Sequence, residues 1–176
     1  MIDTVRDKIR NIPDFPKPGI IFRDITTAVK DAEALHYCVY YLANRIRDTH
    51  EEKIDYIVGI ESRGFIFGSA LAYALGAGFV LIRKPGKLPC ATISETYELE
   101  YGTDEVQMHV DAVEEGANVV VVDDLLATGG TMCAACRLLK KAKANILAAC
   151  FIIELSDLNG REKIPSEIEV ISMVEY

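Results

Sequence analysis

The sequence predicts an α/β fold, namely a doubly wound, mostly parallel sheet with helices on both faces. Two β–α–β patterns support this prediction, because strands joined by a helical crossover run parallel. The valines at 119–122 do not alternate with polar residues, which is typical of a strand buried on both faces. The two patterns cover residues 55–60, 64–75 and 79–84, then 119–122, about 131–143 and 146–155.

The other elements follow from their periodicity. Residues 31–47 carry apolar side chains at helical spacing and predict an amphipathic helix that packs on the sheet. Apolar residues alternate with polar ones on either side of a Gly-Thr-Asp turn over 95–109, which predicts an antiparallel hairpin. A last strand is expected at 168–173. No repeat or low-complexity run interrupts the chain, so residues 1–176 are expected to form one domain.

Composition excludes several classes of protein. The net charge of −8 argues against a general nucleic-acid or membrane-surface binder, since these depend on broad basic patches. The sequence has no signal-peptide pattern and no apolar run of membrane-spanning length, so we expect a cytoplasmic protein. Five cysteines without a secreted framework are expected to be reduced. We expect no metal or redox role for the pair Cys133 and Cys136, and no catalytic role for the histidines.

A glycine-rich turn after the valine strand predicts a phosphate site. Asp123 and Asp124 follow the valines, at the strand end where open α/β sheets bind ligands. The turn lets backbone N–H groups converge, and the next helix adds its unpaired first amides. The residues of this cradle are Ala127, Thr128, Gly129, Gly130 and Thr131. A ribose 5-phosphate fits both halves; the alternative is an ordinary Gly-Gly turn with the aspartates as helix caps.

This segment resembles the 5-phosphoribosyl 1-pyrophosphate (PRPP) motif of type I phosphoribosyltransferases. The resemblance implies that Asp123 and Asp124 hold the ribose 2′ and 3′ hydroxyls and that residues 127–131 hold the 5′-phosphate. The fingerprints of the Walker loop and of the dinucleotide-binding fold do not occur in the chain.

Two further segments supply positive charge for a second anionic group. Glu61, Ser62 and Arg63 lie between a strand and a helix, where the resemblance implies a pyrophosphate loop with a non-proline cis peptide near Glu61–Ser62. Locally, Ser62 could instead be an ordinary helix N-cap. Arg83, Lys84 and Lys87 lie in a proline-containing loop that is otherwise explained as a solvated basic loop. We expect these cations to act with Mg²⁺, which would be held mainly by substrate oxygens and water rather than directly by protein ligands.

The hairpin contains the string LEYG, which matches the flexible loop of adenine phosphoribosyltransferases. The resemblance implies that Glu100 manages a proton at the purine and that Tyr101 closes over the substrate. With Arg63, these residues form the predicted catalytic set. The residues themselves do not distinguish Glu98 from Glu100, because both look like outward strand positions.

The segment FPKPGIIFRDIT at 15–26 resembles the base-binding hood of the same family, formed by about residues 1–30 with the segment around 155–165. The resemblance implies that adenine lies between Phe22 and Leu155 and that backbone groups of Ile21 and Arg23 read its edge. Packing at the end of the chain is the alternative explanation of this apolar run.

Together these motifs and the family resemblance predict transfer of the phosphoribosyl group from PRPP to adenine, giving AMP and pyrophosphate, in a purine salvage enzyme. The resemblance also implies a homodimer, although the sequence itself shows no interface. Three alternatives remain open. The chain could use another base, such as a 6-oxopurine or orotate, it could be a non-catalytic regulator that binds PRPP, or it could be a plain α/β binding domain with no affinity for PRPP.

Overall fold

The computed structural model describes residues 2–98 and 102–176. The helices and strands, numbered in chain order, are α1 (Ile2–Lys8), β1 (Arg10–Pro13), β2 (Ile21–Asp24), α2 (Thr26–Lys30), α3 (Ala32–Thr49), β3 (Tyr56–Ile60), α4 (Gly64–Leu75), β4 (Gly78–Ile82), β5 (Thr92–Glu98), β6 (Thr103–His109), β7 (Asn118–Leu126), α5 (Gly130–Lys141), β8 (Asn145–Glu154) and β9 (Glu169–Glu175). Two 3₁₀ turns, Ser156–Leu158 and Gly160–Lys163, lie between β8 and β9.

The central sheet has five parallel strands in the order β4-β3-β7-β8-β9. The crossover through α4 carries the chain from β3 outward to β4, and the crossover through α5 carries it from β7 in the opposite direction to β8. The direction of winding therefore reverses between β3 and β7. Such a reversal opens a crevice at the carboxyl ends of the two strands, where α/β sheets bind ligands.

The valine strand is buried on both faces, as predicted. Val120 and Val122 pack into the core that contains side chains of α3 and α4, whereas Val119 and Val121 pack into the core that contains side chains of α5 and the β5–β6 hairpin. Successive side chains of a strand point to opposite faces, so this run of valines contributes to both layers of the core. The predicted doubly wound sheet is confirmed.

The aspartates lie within β7 rather than after it. Pairing between β7 and β3 stops at Val122, but pairing between β7 and β8 continues as far as Leu126 and Glu154. The prediction ended the strand at the last valine because carboxylates are rare in buried strands. The continued pairing with β8 holds Asp123 and Asp124 in extended backbone beside the open crevice.

The N-terminal segment forms a small sheet on either side of its proline-containing loop. β1 and β2 form a two-stranded antiparallel sheet in which Asn11 pairs with Arg23, and α1 precedes it. Asp24 lies at the end of β2 and is buried, where it accepts hydrogen bonds from the backbone and hydroxyl of Thr26 and forms an ion pair with Arg10. A buried, paired carboxylate thus joins β1, β2 and the start of α2.

The predicted antiparallel hairpin is confirmed, although it begins at Thr92, earlier than expected. Its β5 strand is held on α5 by Glu95, which pairs with Arg137 at 3.2 Å and Lys141 at 2.8 Å. The hairpin therefore packs against the helix that follows the predicted phosphate cradle.

Candidate active site

A cleft lies at the switch point between β3 and β7. A cavity of about 190 Å³ extends along the end of β7 and the start of α5, and a second cavity of about 270 Å³ extends from there toward β3 and the hairpin. The two cavities share Arg63, Asp123, Asp124 and Thr131, so they form one continuous cleft. The first is lined by Arg63, Asp123, Asp124, Leu125, Leu126, Ala127, Thr128, Gly129, Gly130, Thr131, Met132 and Phe151.

The predicted phosphate cradle lies at the bottom of this cleft. Gly129 has a φ of +80°, and a Cβ on it would lie 2.5 Å from the carbonyl oxygen of Gly160. Only glycine combines this backbone conformation with such a close approach. Gly129 is also the N-cap of α5 and, within the described residues, no side chain caps this helix. The aspartates therefore do not act as caps, and the first amides of α5 remain available for an anion.

Asp124 and Arg63 form a close ion pair across the cleft. Asp124 is 5% exposed, and its Oδ2 accepts a hydrogen bond of 2.5 Å from Nε of Arg63. Asp123 lies next to this pair, and its Oδ1 accepts the backbone N–H of Asp124 at 2.9 Å. Burial, followed by the charge of Asp124, raises the pKa of Asp123 well above its ordinary value. The two acids therefore lie in different environments: Asp124 is paired with a cation, and Asp123 binds a proton more readily than an ordinary aspartate.

Glu61 organises the predicted pyrophosphate loop. The Glu61–Ser62 peptide is cis, as the family resemblance implies. The Glu61 carboxylate accepts the backbone N–H of Lys84 at 2.9 Å and Nε of Arg83 at 3.1 Å. Burial opposes its charge, but these two donors outweigh burial and lower the pKa of Glu61. Glu61 thus connects the loop after β3 with the basic loop after β4.

Lys84 extends the positive charge of the cleft and is itself held by the hairpin. Its Nζ donates a 2.8 Å hydrogen bond to the hydroxyl of Tyr97 and forms an ion pair with Asp104. Burial opposes the ammonium charge, but the contacts with Asp104 and Tyr97 outweigh it and raise the pKa of Lys84. Tyr97 also donates to Asp104 at 2.9 Å, which closes the triangle. Sequence reasoning did not identify Tyr97 or Asp104, because their roles depend on where β5 and β6 meet the basic loop.

The predicted base-binding residues lie beside this cleft. The guanidinium carbon of Arg63 is 5.9 Å from the centre of the Phe22 ring, so Arg63 connects the cleft to β2. The Phe15 ring meets Phe22 edge-on at 5.2 Å, and Ile21 is 51% exposed. Leu155 follows β8, and its N–H donates to the carbonyl of Leu126 at the end of β7. Both predicted walls of the base site therefore border the end of the central sheet.

The structure brings together most of the predicted site. Among the described residues, those lining the cleft include Glu61, Ser62, Arg63, Lys84, both aspartates and all five residues of the cradle. Arg83 and Lys87 lie in the basic loop and do not line the cleft. Arg83 is paired with Glu61 and donates a hydrogen bond to the carbonyl of Lys87. The predicted catalytic residues Glu100 and Tyr101 lie outside the described residues.

The cysteine side chains have no disulfide partner. Cys136 is buried, and burial raises the pKa of its thiol to about 12. No group of three or more His, Cys, Asp or Glu side chains in the described part of the chain could hold a metal ion. None of the helices in residues 2–98 and 102–176 has the length and apolar character needed to cross a membrane.

Known proteins resemble this chain in both sequence and structure. Residues 26–174 match the phosphoribosyl transferase domain family. The adenine phosphoribosyltransferase of Nostoc punctiforme is 52% identical over 172 residues, which covers 98% of this chain and 99% of that protein. The enzyme of that name from Rattus norvegicus is 49% identical over 175 residues, covering 99% of this chain and 97% of the relative.

Two solved structures share the fold over almost their whole length. The adenine phosphoribosyltransferase of Thermoanaerobacter pseudethanolicus superposes with a TM-score of 0.94 at 48% identity, with 100% of both chains covered. The enzyme from Saccharomyces cerevisiae, solved with adenine and D-2,5-dideoxy-2,5-imino-altritol 1,6-bisphosphate, has a TM-score of 0.94 at 39% identity, covering 98% of this chain and 97% of that one. This chain belongs to the adenine phosphoribosyltransferase family.

Proposed function

We propose that the protein transfers the 5-phosphoribosyl group of PRPP to adenine and releases AMP and pyrophosphate. The observation that carries this proposal is the continuous cleft, which joins the phosphate cradle at the start of α5 to Arg63 and, through Arg63, to Phe22. A substrate with an anionic group at each end of a sugar matches this arrangement. The yeast relative was solved with adenine, which supports a purine beside Phe22.

The sugar end of PRPP is held by the cradle. The backbone amides of residues 129–131 and the hydroxyls of Thr128 and Thr131 bind the 5′-phosphate at the positive end of α5. The ribose hydroxyls donate to Asp123 and Asp124. The Arg63 contact fixes the orientation of the Asp124 carboxylate, so the acceptor for the ribose hydroxyls is already in place before the substrate binds.

The pyrophosphate end lies toward Arg63 and Lys84, whose charges stabilise the departing group. Mg²⁺, when bound through substrate oxygens and water, would neutralise more of the negative charge that develops on pyrophosphate. The Asp124 carboxylate lines the same cleft and can accept hydrogen bonds from water bound to the ion, so the cleft is compatible with an ion held in this way. Glu61 acts indirectly by fixing Arg83 and the Lys84 backbone.

The base enters between the hood and the hairpin. Phe22 and Leu155 form the apolar walls, and backbone groups of Ile21 and Arg23 separate the 6-amino group of adenine from a 6-oxo group. Glu100 assists proton transfer at the purine, and Tyr101 closes the site. The Glu100→Gln variant tests this role: kcat is expected to fall much more than PRPP affinity, and an unchanged kcat would remove Glu100 from the mechanism.

A competition assay tests the function itself. Purified protein is incubated with PRPP, Mg²⁺ and equal amounts of adenine, hypoxanthine, guanine and orotate, and the nucleotides formed are separated. Adenine is expected to be strongly preferred, and omission of Mg²⁺ is expected to suppress turnover. Preference for another base would contradict the assignment, whereas PRPP stabilisation without any turnover would indicate a binding protein.

We also propose a homodimer that works in purine salvage in the cytoplasm. An apolar groove between α3 and α4 supports self-association: two of the residues that line it, Tyr73 and Tyr40, are 92% and 48% exposed. Large exposed apolar side chains in one patch are typical of an interface. Sedimentation of the wild type and of Tyr73→Ser tests this, with a monomeric wild type contradicting the proposal.

A further inference from the structure

The two predicted walls of the base site are connected by a residue that neither the motifs nor the cleft includes. Tyr176 follows β9, and its backbone is fixed beside Leu155. The N–H of Tyr176 donates to the carbonyl of Glu154 at 2.9 Å, and the carbonyl of Tyr176 accepts the N–H of Ser156 at 2.9 Å. Leu155 therefore lies between two residues that are both hydrogen-bonded to Tyr176.

The side chain of Tyr176 contacts the opposite wall. The guanidinium carbon of Arg23 lies 3.9 Å from the centre of the Tyr176 ring. Arg23 also donates to the side chain of its cross-strand partner, Asn11. Its Nε is buried and has no hydrogen-bond partner among the described residues. Arginine over an aromatic face is attracted by the ring electrons, most strongly when both groups are shielded from water.

The Tyr176 ring that makes this contact is packed against the core. It is partly buried against the core that contains side chains of α3 and α4, and Leu155 packs against the same core. Burial raises the pKa of Tyr176 above its ordinary value, so the phenol is neutral in the physiological range. Arg23 directly follows Phe22 on β2, so the contact with Tyr176 is made by the strand that carries the aromatic wall.

We infer that Tyr176 is a positioning residue for base binding, which holds Arg23 and Phe22 at a fixed separation from Leu155. This inference rests on the proposed adenine site. Phe22 and Leu155 belong to segments far apart in sequence, and the ring of Tyr176 with its two backbone hydrogen bonds links one to the other. A preformed gap between the walls lowers the entropy cost of inserting a flat base.

The test compares Tyr176→Leu, which removes the aromatic face but keeps apolar bulk, with Tyr176→Phe, which keeps the face. Steady-state kinetics are measured with each substrate in turn. Tyr176→Leu is expected to raise the KM for adenine by about 3- to 30-fold, the range that the loss of one such contact predicts. The KM for PRPP should stay unchanged, and Tyr176→Phe should behave like the wild type.

Stabilisation by PRPP shows whether each variant is folded. If Tyr176→Leu does not fold, Arg23→Lys tests the same contact from β2, because it keeps the charge but loses the flat stacking group. An unchanged adenine KM in the folded variant overturns the inference, and so does an equal rise in the PRPP KM or a Tyr176→Phe variant as impaired as Tyr176→Leu. A wild-type protein without adenine turnover would instead overturn the proposed function, before any variant is compared.

Discussion

The phosphate cradle and the elements that cover it are built in different ways. The cradle is a continuous segment, residues 127–131, and its shape depends on backbone packed against backbone, as where Gly129 meets Gly160. The hood and the hairpin are held by side chains from distant segments: Arg23 stacks on Tyr176, Asp24 pairs with Arg10, and Lys84 pairs with Asp104.

This difference determines how each region responds to change. Backbone atoms in contact cannot move apart without shifting a strand or a helix, so one added methyl group in the cradle is expected to disrupt it. Side-chain pairs can be weakened one at a time, and the covering elements are expected to lose function gradually. A fixed sugar site with adjustable covers suits an enzyme whose base must enter and whose nucleotide must leave.

Gly129→Ala should have the largest effect. Its φ of +80° disfavours alanine, and the new Cβ would lie 2.5 Å from the Gly160 carbonyl oxygen. We expect kcat/KM for PRPP to fall about 100-fold or more, because small misplacements of binding groups can cost this much. The melting temperature should also fall by several degrees, as expected for about 1–3 kcal/mol of overpacking.

Gly116→Ala is the matched control. Gly116 has a φ of +82°, but nothing lies within 4 Å of an added Cβ. It therefore carries the same backbone cost without the clash and should keep full PRPP use. An equal loss of PRPP use in the two variants would show that the positive φ, rather than the contact with Gly160, makes glycine necessary in the cradle. The proposed difference between a cradle built by backbone packing and covers held by side chains would then lose support.

Asp123→Asn, next to the cradle, should weaken PRPP binding while making the folded protein more stable. Because burial and the neighbouring Asp124 raise the pKa of Asp123, the folded state binds a proton more tightly than the unfolded state. The wild type therefore loses stability as pH rises from the unfolded pKa, near 4, toward the raised folded value. Asparagine has no such titration and can still accept the Asp124 N–H.

We expect Asp123→Asn to melt at a higher temperature than the wild type at pH 8, with the difference disappearing near pH 3.5, while its KM for PRPP rises at least tenfold. Thermal melts across this pH range and PRPP titrations measure both effects. A variant that is less stable at pH 8 would show that the carboxylate is favourably placed in the free protein, contrary to the direction of its pKa shift.

The same contrast explains what could be predicted from the sequence. The cradle could be predicted because it follows the valines and the two aspartates directly in the sequence. The function of each residue type in this segment can be explained by its neighbours along the chain. The contacts of Tyr97, Asp104 and Tyr176 were missed, because they arise only when separate strands are placed side by side. The end of β7 was also missed, since its pairing with β8, and not the local residue types, keeps Asp123 and Asp124 in the strand.

Asp24→Asn tests whether the hood is stabilised by charge. Hydrogen bonds from Thr26, then from Arg10, lower the pKa of Asp24 to about 2. A depressed pKa stabilises the fold above the unfolded value of 3.8, and this stabilisation is lost as pH falls toward 2. We expect the variant to be less stable by up to about 2 kcal/mol at pH 7 and nearly equal to the wild type only below about pH 2, as denaturant titrations would show.

The kinetics of Asp24→Asn test whether the hood and the cradle act independently. Since Asp24 is in the hood and does not line the cleft, KM for adenine should rise by a few-fold while KM for PRPP stays within twofold. A larger effect on PRPP than on adenine would mean that the hood and the cradle are mechanically coupled, and the two regions could no longer be treated as separate.

Asp104→Asn should have the smallest effect and the opposite sign. Asp104 shares the Lys84 ammonium with Tyr97, and a carboxylate beside the cleft repels an anionic substrate. Removing its charge leaves Lys84 with the Tyr97 hydrogen bond and increases the positive potential near the pyrophosphate. We expect the KM for PRPP to fall about two- to fivefold at low salt and to approach the wild-type value at high salt, since a partly exposed pair contributes about 1 kcal/mol or less and is screened.

The control for Asp104→Asn is Glu115→Gln, which removes the same charge from the exposed pair that Glu115 forms with Lys143. Its PRPP kinetics should not change, so any shift in Asp104→Asn arises from the cleft and not from the net charge of the protein. A higher KM for PRPP in Asp104→Asn would mean that Lys84 must be held by the hairpin before it can bind pyrophosphate. In that case the hairpin would belong to the rigid substrate site, together with the cradle and Lys84, rather than to the adjustable covers.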